Sequence, residues 1–598
     1  MKTSHRNSLI TLTSAATVAL GVLIAPAASA DEATTTTTLT NEVLPGLSGL
    51  TAQGAAPASQ QMQLAVVVSG NQAAAQQAYQ AIYTPGSPQY HHFLTPTQIA
   101  DQFGAPTDRW QAAQSWLKGN GLTVGYASGT RDLILVTGPV SAVEHTFGVQ
   151  LDSYRTGTRD FLANTSAPKV PTSLGITNVV GLNTLDGAVP SRPRTSAAGV
   201  GGTVTAKELW GAYQQPADDE GAGQSVGVLG EGATDTVLSD LTKFEDKNGF
   251  GHVPVTVQHV GSGPYTDTSG QVEWDMDTQS MVGMAPKTDG VTMYFGKDLT
   301  DTTGAALISA WESDPNGPKQ ADASWGECEE TPLDKPLAPI INPVNQLLGG
   351  LQAGVGLQDD LEAVADPILQ KATLQGKTLF VSTGDTGSSC PVVYVPVVGA
   401  GNGLVNQIVP FTNYPASSPY AVGVGGTTLS VNGTDQNATR DQENAWAFGG
   451  GGETFFTDAP GYQQGVQNLN LPGSDGKVAR GIPDVAAMSG DGITNGYDMI
   501  SSGSDTTGGG TSLSSPLWVG MWSRVQSATG GLGFANETFY RLGKNATTYK
   551  RDFYDITTGV GGVPVVGNGL YTTQTGWDYA SGWGTPKLTN LIADAKQQ

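Results

Sequence analysis

Two hydrophobic patterns divide the chain. Between Met62 and Tyr154, short apolar runs are separated by amphipathic stretches. Leu64 to Val68 reads as a strand, and Gln72 to Tyr83 as a helix that Pro85, Gly86 and Pro88 break. Asp108 to Leu117 predicts a second helix. Leu122 to Ala127 and Asp132 to Val136 predict strands. Pro139 to Phe147 predicts a short helix with its proline in the first turn, and Val149 to Tyr154 a last strand. Together these elements predict a small α+β unit over 61–155. From about Thr203 to Gln598 the pattern changes. Ser225 to Leu229, Val291 to Phe295, Thr378 to Ser382 and Tyr420 to Val424 are apolar without alternation, and Asp359 to Leu374 is helical. Unalternated strands separated by helices predict a parallel sheet covered on both faces. Residues 31–60, rich in Thr, Ala and Gly, are expected to be flexible. Residues 156–202, rich in Pro, Thr, Ser and Gly, are expected to form an exposed connector. No repeat and no coiled-coil heptad is present.

Composition sharpens the outline. The 598 residues carry 29 Lys and Arg against 53 Asp and Glu, a formal net charge of −24. That charge argues against nucleic acid or an anionic membrane as partner. Only 14% of residues are charged, so the imbalance reflects scarce cations rather than acidic runs. Met1 to Ala30 has a basic start, an apolar run from Ala16 to Ala25 and a small-residue Ala28-Ser29-Ala30 end, the pattern of a cleaved secretory signal peptide. The apolar run is shorter than the roughly 20 residues a spanning helix needs. A secreted chain meets an oxidising exterior, where its two cysteines, Cys328 and Cys390, are expected to pair. Such a bridge would close a loop of about 60 residues and contribute on the order of 4 kcal/mol. A small folded unit and a cuttable connector ahead of an α/β unit suggest a zymogen.

The chemistry centres on Gly508 to Pro516 (GGGTSLSSP), which precedes a strong helix candidate, Leu517 to Gln526. Glycines permit close backbone approach, and a serine at a helix start meets free N–H groups and the positive end of the dipole. Ser512 is therefore a candidate nucleophile. It needs a base. Of six histidines only His252 and His259 fall in the large unit, and neither has a subtilisin-type setting, which disfavours a Ser-His-Asp triad. Glu273 and Asp277, four residues apart in Gln271 to Asp277 (QVEWDMD), share one helix face. Paired carboxylates resist double ionisation, so the pair can share a proton and act as a base in acid. Asp385 follows an apolar strand in Ser382 to Ser388 (STGDTGS). Kept neutral, its carboxyl could donate to an oxyanion.

In their order along the chain these strings resemble the sedolisins, serine-carboxyl peptidases with a Ser-Glu-Asp triad on a subtilisin-like fold. The resemblance rests on Glu273 to Asp277, on Gly510-Thr511-Ser512 with Pro516, and on Gly384-Asp385 with Gly387-Ser388. Further support comes from Ser324-Trp325-Gly326, Tyr414 to Pro419, Gly481 to Val485, and the activation-domain-like Ser87 to Leu94 (SPQYHHFL). It implies an α/β catalytic domain over 203–598, a subtilisin-like parallel sheet flanked by helices. Ahead of it would stand an α+β ferredoxin-like prodomain that inhibits the enzyme, and a maturation cut within 156–202, near Pro190 to Gly202. It makes Ser512 the nucleophile, Glu273 the base, Asp277 its partner and Asp385 the oxyanion residue. It also implies one structural Ca2+ held by Asp555 and Asp578 carboxylates and the carbonyls of Ile556, Gln574 and Gly576. Some relatives place a glutamate at the end of the first large-domain strand; here Gly230 stands there and Glu231 comes one residue later, on the other face of the strand. The expected activity is a secreted, monomeric endopeptidase that works in acid on polypeptides. A tripeptidyl aminopeptidase of the same family, a dead binding protein on this fold, and a Ser-His hydrolase are the alternatives.

Overall fold

A computed structural model describes most of residues 35–597. The longest stretches outside the described residues are 1–34, 330–359, 389–411 and 560–566; shorter ones include 185–188, 191–195, 198–201 and 491–494. The signal-peptide expectation for Met1 to Ala30 and Cys390 of the expected disulfide both lie outside them.

The first unit is built on β1 (Gln61–Val68), whose residues Leu64, Val66 and Val68 are fully buried. It pairs antiparallel with β3 (Leu133–Pro139), which in turn pairs with β2 (Thr123–Ala127). Local signals start and stop the helices. Asn71 accepts from the Ala74 N–H and begins α1 (Gln72–Tyr83). A reciprocal Thr95–Gln98 capping box with Pro96 begins α2 (Pro96–Phe103). After α3 (Thr107–Gly119) and β3, α4 (Val140–Phe147) ends at Gly148, which takes φ +63°. The fourth strand, β4 (Ile176–Val180), pairs with the other side of β1, giving the order β2-β3-β1-β4. Two βαβ halves with this antiparallel order are the expected ferredoxin-like arrangement.

Its limits differ from the composition reading. Within 156–202, Arg159–Asn164 pairs with Leu151–Thr156, and β4 completes the sheet with Val179 and Val180 buried. Within 31–60, Thr36–Thr38 pairs with Lys169–Pro171, and Gly54–Ala55 pairs with Asp152 and Ser153. Polar, Thr-rich segments look loose locally, but an open sheet edge offers unpaired N–H and C=O groups that such segments can satisfy.

The second unit is an eight-stranded sheet. Its path runs β6 (Val255–His259), β7 (Gly290–Gly296), β5 (Ser225–Glu231), β8 (Gln320–Ala323), β9 (Thr378–Ser382), β10 (Val422–Asn432) and β11 (Thr439–Ala445), with β12 (Val485–Met488) also on β10. Every pairing is parallel except β10 with β11. The strands are apolar because both faces are covered: Val226, Val228, Met293, Leu379 and Phe380 are fully buried. Helix α5 (Gln271–Met284) packs on α8 (Thr511–Thr529), and α6 (Asp301–Ser313) packs on α7 (Asp360–Leu374). The crevice beyond the carboxyl ends of the parallel strands is the usual place for a site in such a sheet.

The two units meet along α1, β1 and β3 on one side and α6 and α7 on the other. Tyr83 donates to the Thr373 carbonyl at 2.7 Å, and Gln63 donates to Thr303 at 2.8 Å. At the centre Lys371 of α7, 3% exposed, meets Asp132 of the first unit at 2.9 Å. Thr130 donates beside it to Glu312 of α6 at 2.8 Å. Among the described residues no helix is long and apolar enough to cross a membrane.

Candidate active site

Helix α5 carries Glu273 and Asp277 on one face, as their spacing predicts. A solvated acidic face would leave them exposed; instead Glu273 is 1% exposed and Asp277 fully buried. Ser512 stands in the first turn of α8, which packs on α5, and is fully buried too. The turn before it depends on Gly510, whose φ is +122° and where a Cβ would lie 2.5 Å from the Asp385 carboxylate. That bare backbone lets Asp385, three residues beyond β9, reach the start of α8. Its Oδ1 accepts from the Thr511 N–H and from the Thr511 hydroxyl, each at 2.8 Å. Thr511 Oγ1 in turn accepts from the Gly384 N–H at 3.1 Å. The nucleophile, the acidic pair and the oxyanion aspartate of the sequence reading are thus brought together from three elements.

Electrostatically the site is a pool of carboxyls. Burial pushes the Glu273 carboxyl well above the ordinary range, and the neighbouring Asp385 and Asp322 charges push it further. Burial also raises Asp277, with Asp322 and Glu273 adding to it. Held up by burial and by one another, these carboxyls keep protons that exposed carboxylates would have lost. The Ser512 hydroxyl is close enough to favour the charged form of Glu273, yet Ser512 Oγ and both Glu273 oxygens lack a well-formed hydrogen bond. Catalytic contacts commonly tighten only when substrate is bound.

One member of this cluster was not foreseen. Asp322, in β8, is fully buried and accepts from Ser515 of α8 at 2.5 Å. Ser324, just past β8, lies 2.8 Å from Asp277 Oδ1 and 3.0 Å from Asp322 Oδ2. The signal was a carboxylate set between two alanines, Ala321 and Ala323, just ahead of Ser324-Trp325-Gly326. Glu231 stays apart from the triad: burial raises it to about 7, and the charges that face it are Asp267 and Asp298. A side chain at Gly230 would run into Phe295 and Trp274.

Part of the connector pairs with strands beside these residues. Val189–Pro190 pairs antiparallel with Trp325 and Gly326, and Ser196–Ala197 pairs with Thr506 and Thr507 just before the nucleophile turn. The expected cut near Pro190 to Gly202 therefore falls in a segment whose described parts flank the catalytic residues.

Two pairs of the residues expected to hold calcium are in contact. The Gly576 N–H reaches both Asp555 oxygens at 3.3 Å, and Asp578 accepts from the Gln574 N–H at 2.7 Å. Ile556 is buried alongside. Among the described residues no group of three or more His, Cys, Asp or Glu could hold a metal. A cation here would therefore draw the rest of its shell from carbonyls. Asp578 is buried and accepts from the Gln574, Ala580 and Ser581 N–H groups and from the Ser581 hydroxyl. Two such carboxyls in an all-oxygen loop fit a hard cation.

A buried serine beside paired carboxyls, on a subtilisin-like parallel sheet packed against a ferredoxin-like unit, is the arrangement expected of a serine-carboxyl peptidase with an activation domain. The comparisons agree. Residues 48–185 match the family model "Pro-kumamolisin, activation domain". Sedolisin from Pseudomonas sp. (strain 101) is 29% identical over 546 residues, covering 88% of this chain and 85% of that protein. Tripeptidyl-peptidase 1 from Homo sapiens is 24% identical over 554 residues, covering 86% of this chain and 87% of that protein. A solved structure of Pseudomonas sedolisin, a serine-carboxyl proteinase complexed with pseudo-iodotyrostatin, aligns with TM-score 0.52 at 27% identity, over 67% of this chain and all of that one. The chain is thus similar to the sedolisins over most of its length and carries a match to their activation domain near its start.

Proposed function

We propose that the chain is a secreted zymogen of an acid-acting endopeptidase that processes itself and then cleaves polypeptides through an acyl-enzyme on Ser512. The observation that carries this reading is the burial of Glu273 and Asp277 against the Ser512 turn, with Asp385 held at the same turn by Thr511. Ser512 Oγ attacks the scissile carbonyl and its proton passes to Glu273. Asp385 and the Ser512 N–H face the oxygen that becomes negative. The C–N bond breaks as Glu273 returns the proton to the leaving amine. Water, deprotonated by the same carboxylate, then releases the acyl group.

Working in acid requires the cluster's protons to rest on Asp277 and its neighbours, leaving Glu273 as the carboxylate. A base that is a carboxylate still accepts a proton at a pH where histidine is fully protonated. Maturation is proposed between Pro190 and Ala197, since the strands on either side run along the cleft and the nucleophile hairpin. Secretion is supported by the signal-like Met1 to Ala30, and a Cys328–Cys390 bridge by the two-cysteine composition. Calcium on Asp555 and Asp578, with carbonyls of Ile556, Gln574 and Gly576, would supply positive charge that holds the loop closed.

The test is hydrolysis of an unfolded protein from pH 3 to 8 by wild type and Glu273→Gln, both freed of the activation unit. Acid activity in wild type with loss in the variant is expected. An unchanged rate in Glu273→Gln would refute the carboxylate base. A tripeptidyl reading is favoured by the relative of that name; amine-blocked peptides separate it, because only an endopeptidase cuts them.

A further inference from the structure

The acidic chain does not end at Asp277. Ser324 Oγ is within hydrogen-bond distance of both Asp277 Oδ1, at 2.8 Å, and Asp322 Oδ2, at 3.0 Å. A hydroxyl has one hydrogen, so it can donate to only one of the two carboxyls. The second contact is favourable only if that carboxyl carries a proton of its own. Asp277 and Asp322 also approach each other directly, and two carboxyls make a hydrogen bond only with a proton between them. At least one proton therefore resides on this pair. Asp322 is the better anion of the two. Its other oxygen accepts from Ser515 at 2.5 Å, whereas Asp277 Oδ2 has no donor and Asp277 has Glu273 as a second acidic neighbour. Their direct contact acts the same way, raising Asp277 and lowering Asp322.

We propose that Asp322 is a positioning residue of the catalytic apparatus: it keeps the pair's proton on Asp277 and thereby leaves Glu273 free to be the carboxylate that takes the Ser512 proton. This rests on the Ser512–Glu273 reading above. Asp322 touches no substrate; it acts through Asp277. The titratable groups around it are Asp277 and Glu273 from α5, with Asp385 facing Glu273 from beyond β9. Ser515 from α8 and Ser324 complete its surroundings.

The test compares wild type, Asp322→Asn, Ser515→Ala, Glu231→Gln and Glu273→Gln as full-length zymogens brought to the same extent of processing. Their kcat and KM are measured from pH 2 to 8. Removing the Asp322 charge takes a negative neighbour from the acidic pair. Both limbs of the Asp322→Asn profile should then move acidward by about one pH unit. At the wild-type optimum kcat should fall about tenfold, with KM within twofold. Ser515→Ala, which removes only the donor that keeps Asp322 charged, should shift the limbs the same way by less. Glu231→Gln, a buried carboxyl outside the chain, should leave them in place. Unshifted limbs in Asp322→Asn, with or without a lower melting temperature, would overturn the proposal. If Asp322→Asn does not fold, Ser515→Ala decides by the same criterion. Retained activity in Glu273→Gln would instead remove the underlying reading, whatever Asp322 does.

Discussion

Two buried acidic sites in this molecule answer pH in opposite directions. At the candidate catalytic centre Glu273, Asp277 and Asp322 are buried together, and burial raises all three, with acidic neighbours adding to Glu273 and Asp277. Where the two units meet, Asp132 is just as buried. Burial raises it too, but the Lys371 ammonium at 2.9 Å and donors from Ser128 and Thr130 outweigh that and hold it below the ordinary value. The linkage signs follow. A carboxyl raised in the fold costs nothing while protonated, and its burial becomes destabilising as pH rises from the unfolded value through the raised one. A depressed carboxyl stabilises above its unfolded value, and that stabilisation is lost as pH falls through the folded value. Acid therefore suits the catalytic centre and loosens the Asp132 contact between the units. Glu312, which Thr130 caps from across the interface, is raised to about 8 mainly by burial, and it opposes Asp132 in sign. Of these two carboxyls only Asp132 can contribute acid loosening, below the ordinary carboxylate range. One cation, correctly placed, separates a proton reservoir from an acid-labile lock.

The comparison can be broken at several points. The largest effect is expected from Glu273→Gln: roughly a 10⁴-fold loss of kcat in the peptide assay. Its melting temperature should also decline less steeply between pH 5 and 8 than that of wild type, because one raised carboxyl is gone. Asp132→Ala would strand the Lys371 ammonium in a dry interface, at a cost of about 3–5 kcal/mol. In a Ser512→Ala background cut in trans, the activation unit should then separate at neutral pH, read by size-exclusion chromatography. Asp132→Leu with Lys371→Met should restore most of the hold and abolish its loss in acid. Asp385→Ala removes a group facing the oxyanion and should lower kcat by about 10²–10³-fold with KM little changed. The smallest effect is the chelator's. Removing calcium held at a hundredfold its Kd should destabilise by about 2.7 kcal/mol, seen as a lower melting temperature that added Ca2+ restores. An unchanged melting temperature would argue against a cation at Asp555 and Asp578.

Legibility in the sequence tracks the range of the forces involved. The helix begun by Asn71 depends on neighbours a few residues away, and α1 and β9 occupy the residues their patterns predict, whereas the short helix behind the Thr95–Gln98 box was not among those expected. The Glu273–Asp277 spacing was legible for the same reason. The edge strands inside 31–60 and 156–202 were not. Thr36–Thr38 has no apolar residue and Arg159–Asn164 only the short run Phe161-Leu162-Ala163; their partners complete them. Asp322 was missed because its meaning comes from Ser515, 193 residues away, and from a helix that packs over it.

By itself the sequence determined the chemical inventory: a glycine-bounded serine at a helix start, two carboxyls one helical turn apart, an aspartate after a strand, and too few suitable histidines for another base. Only the tertiary structure decided their protonation. A carboxyl's pKa depends on burial and on charges within a few ångströms, and those neighbours come from strands and helices far apart in the chain. The same residue type thus became a proton holder beside Asp322 and a locked anion beside Lys371.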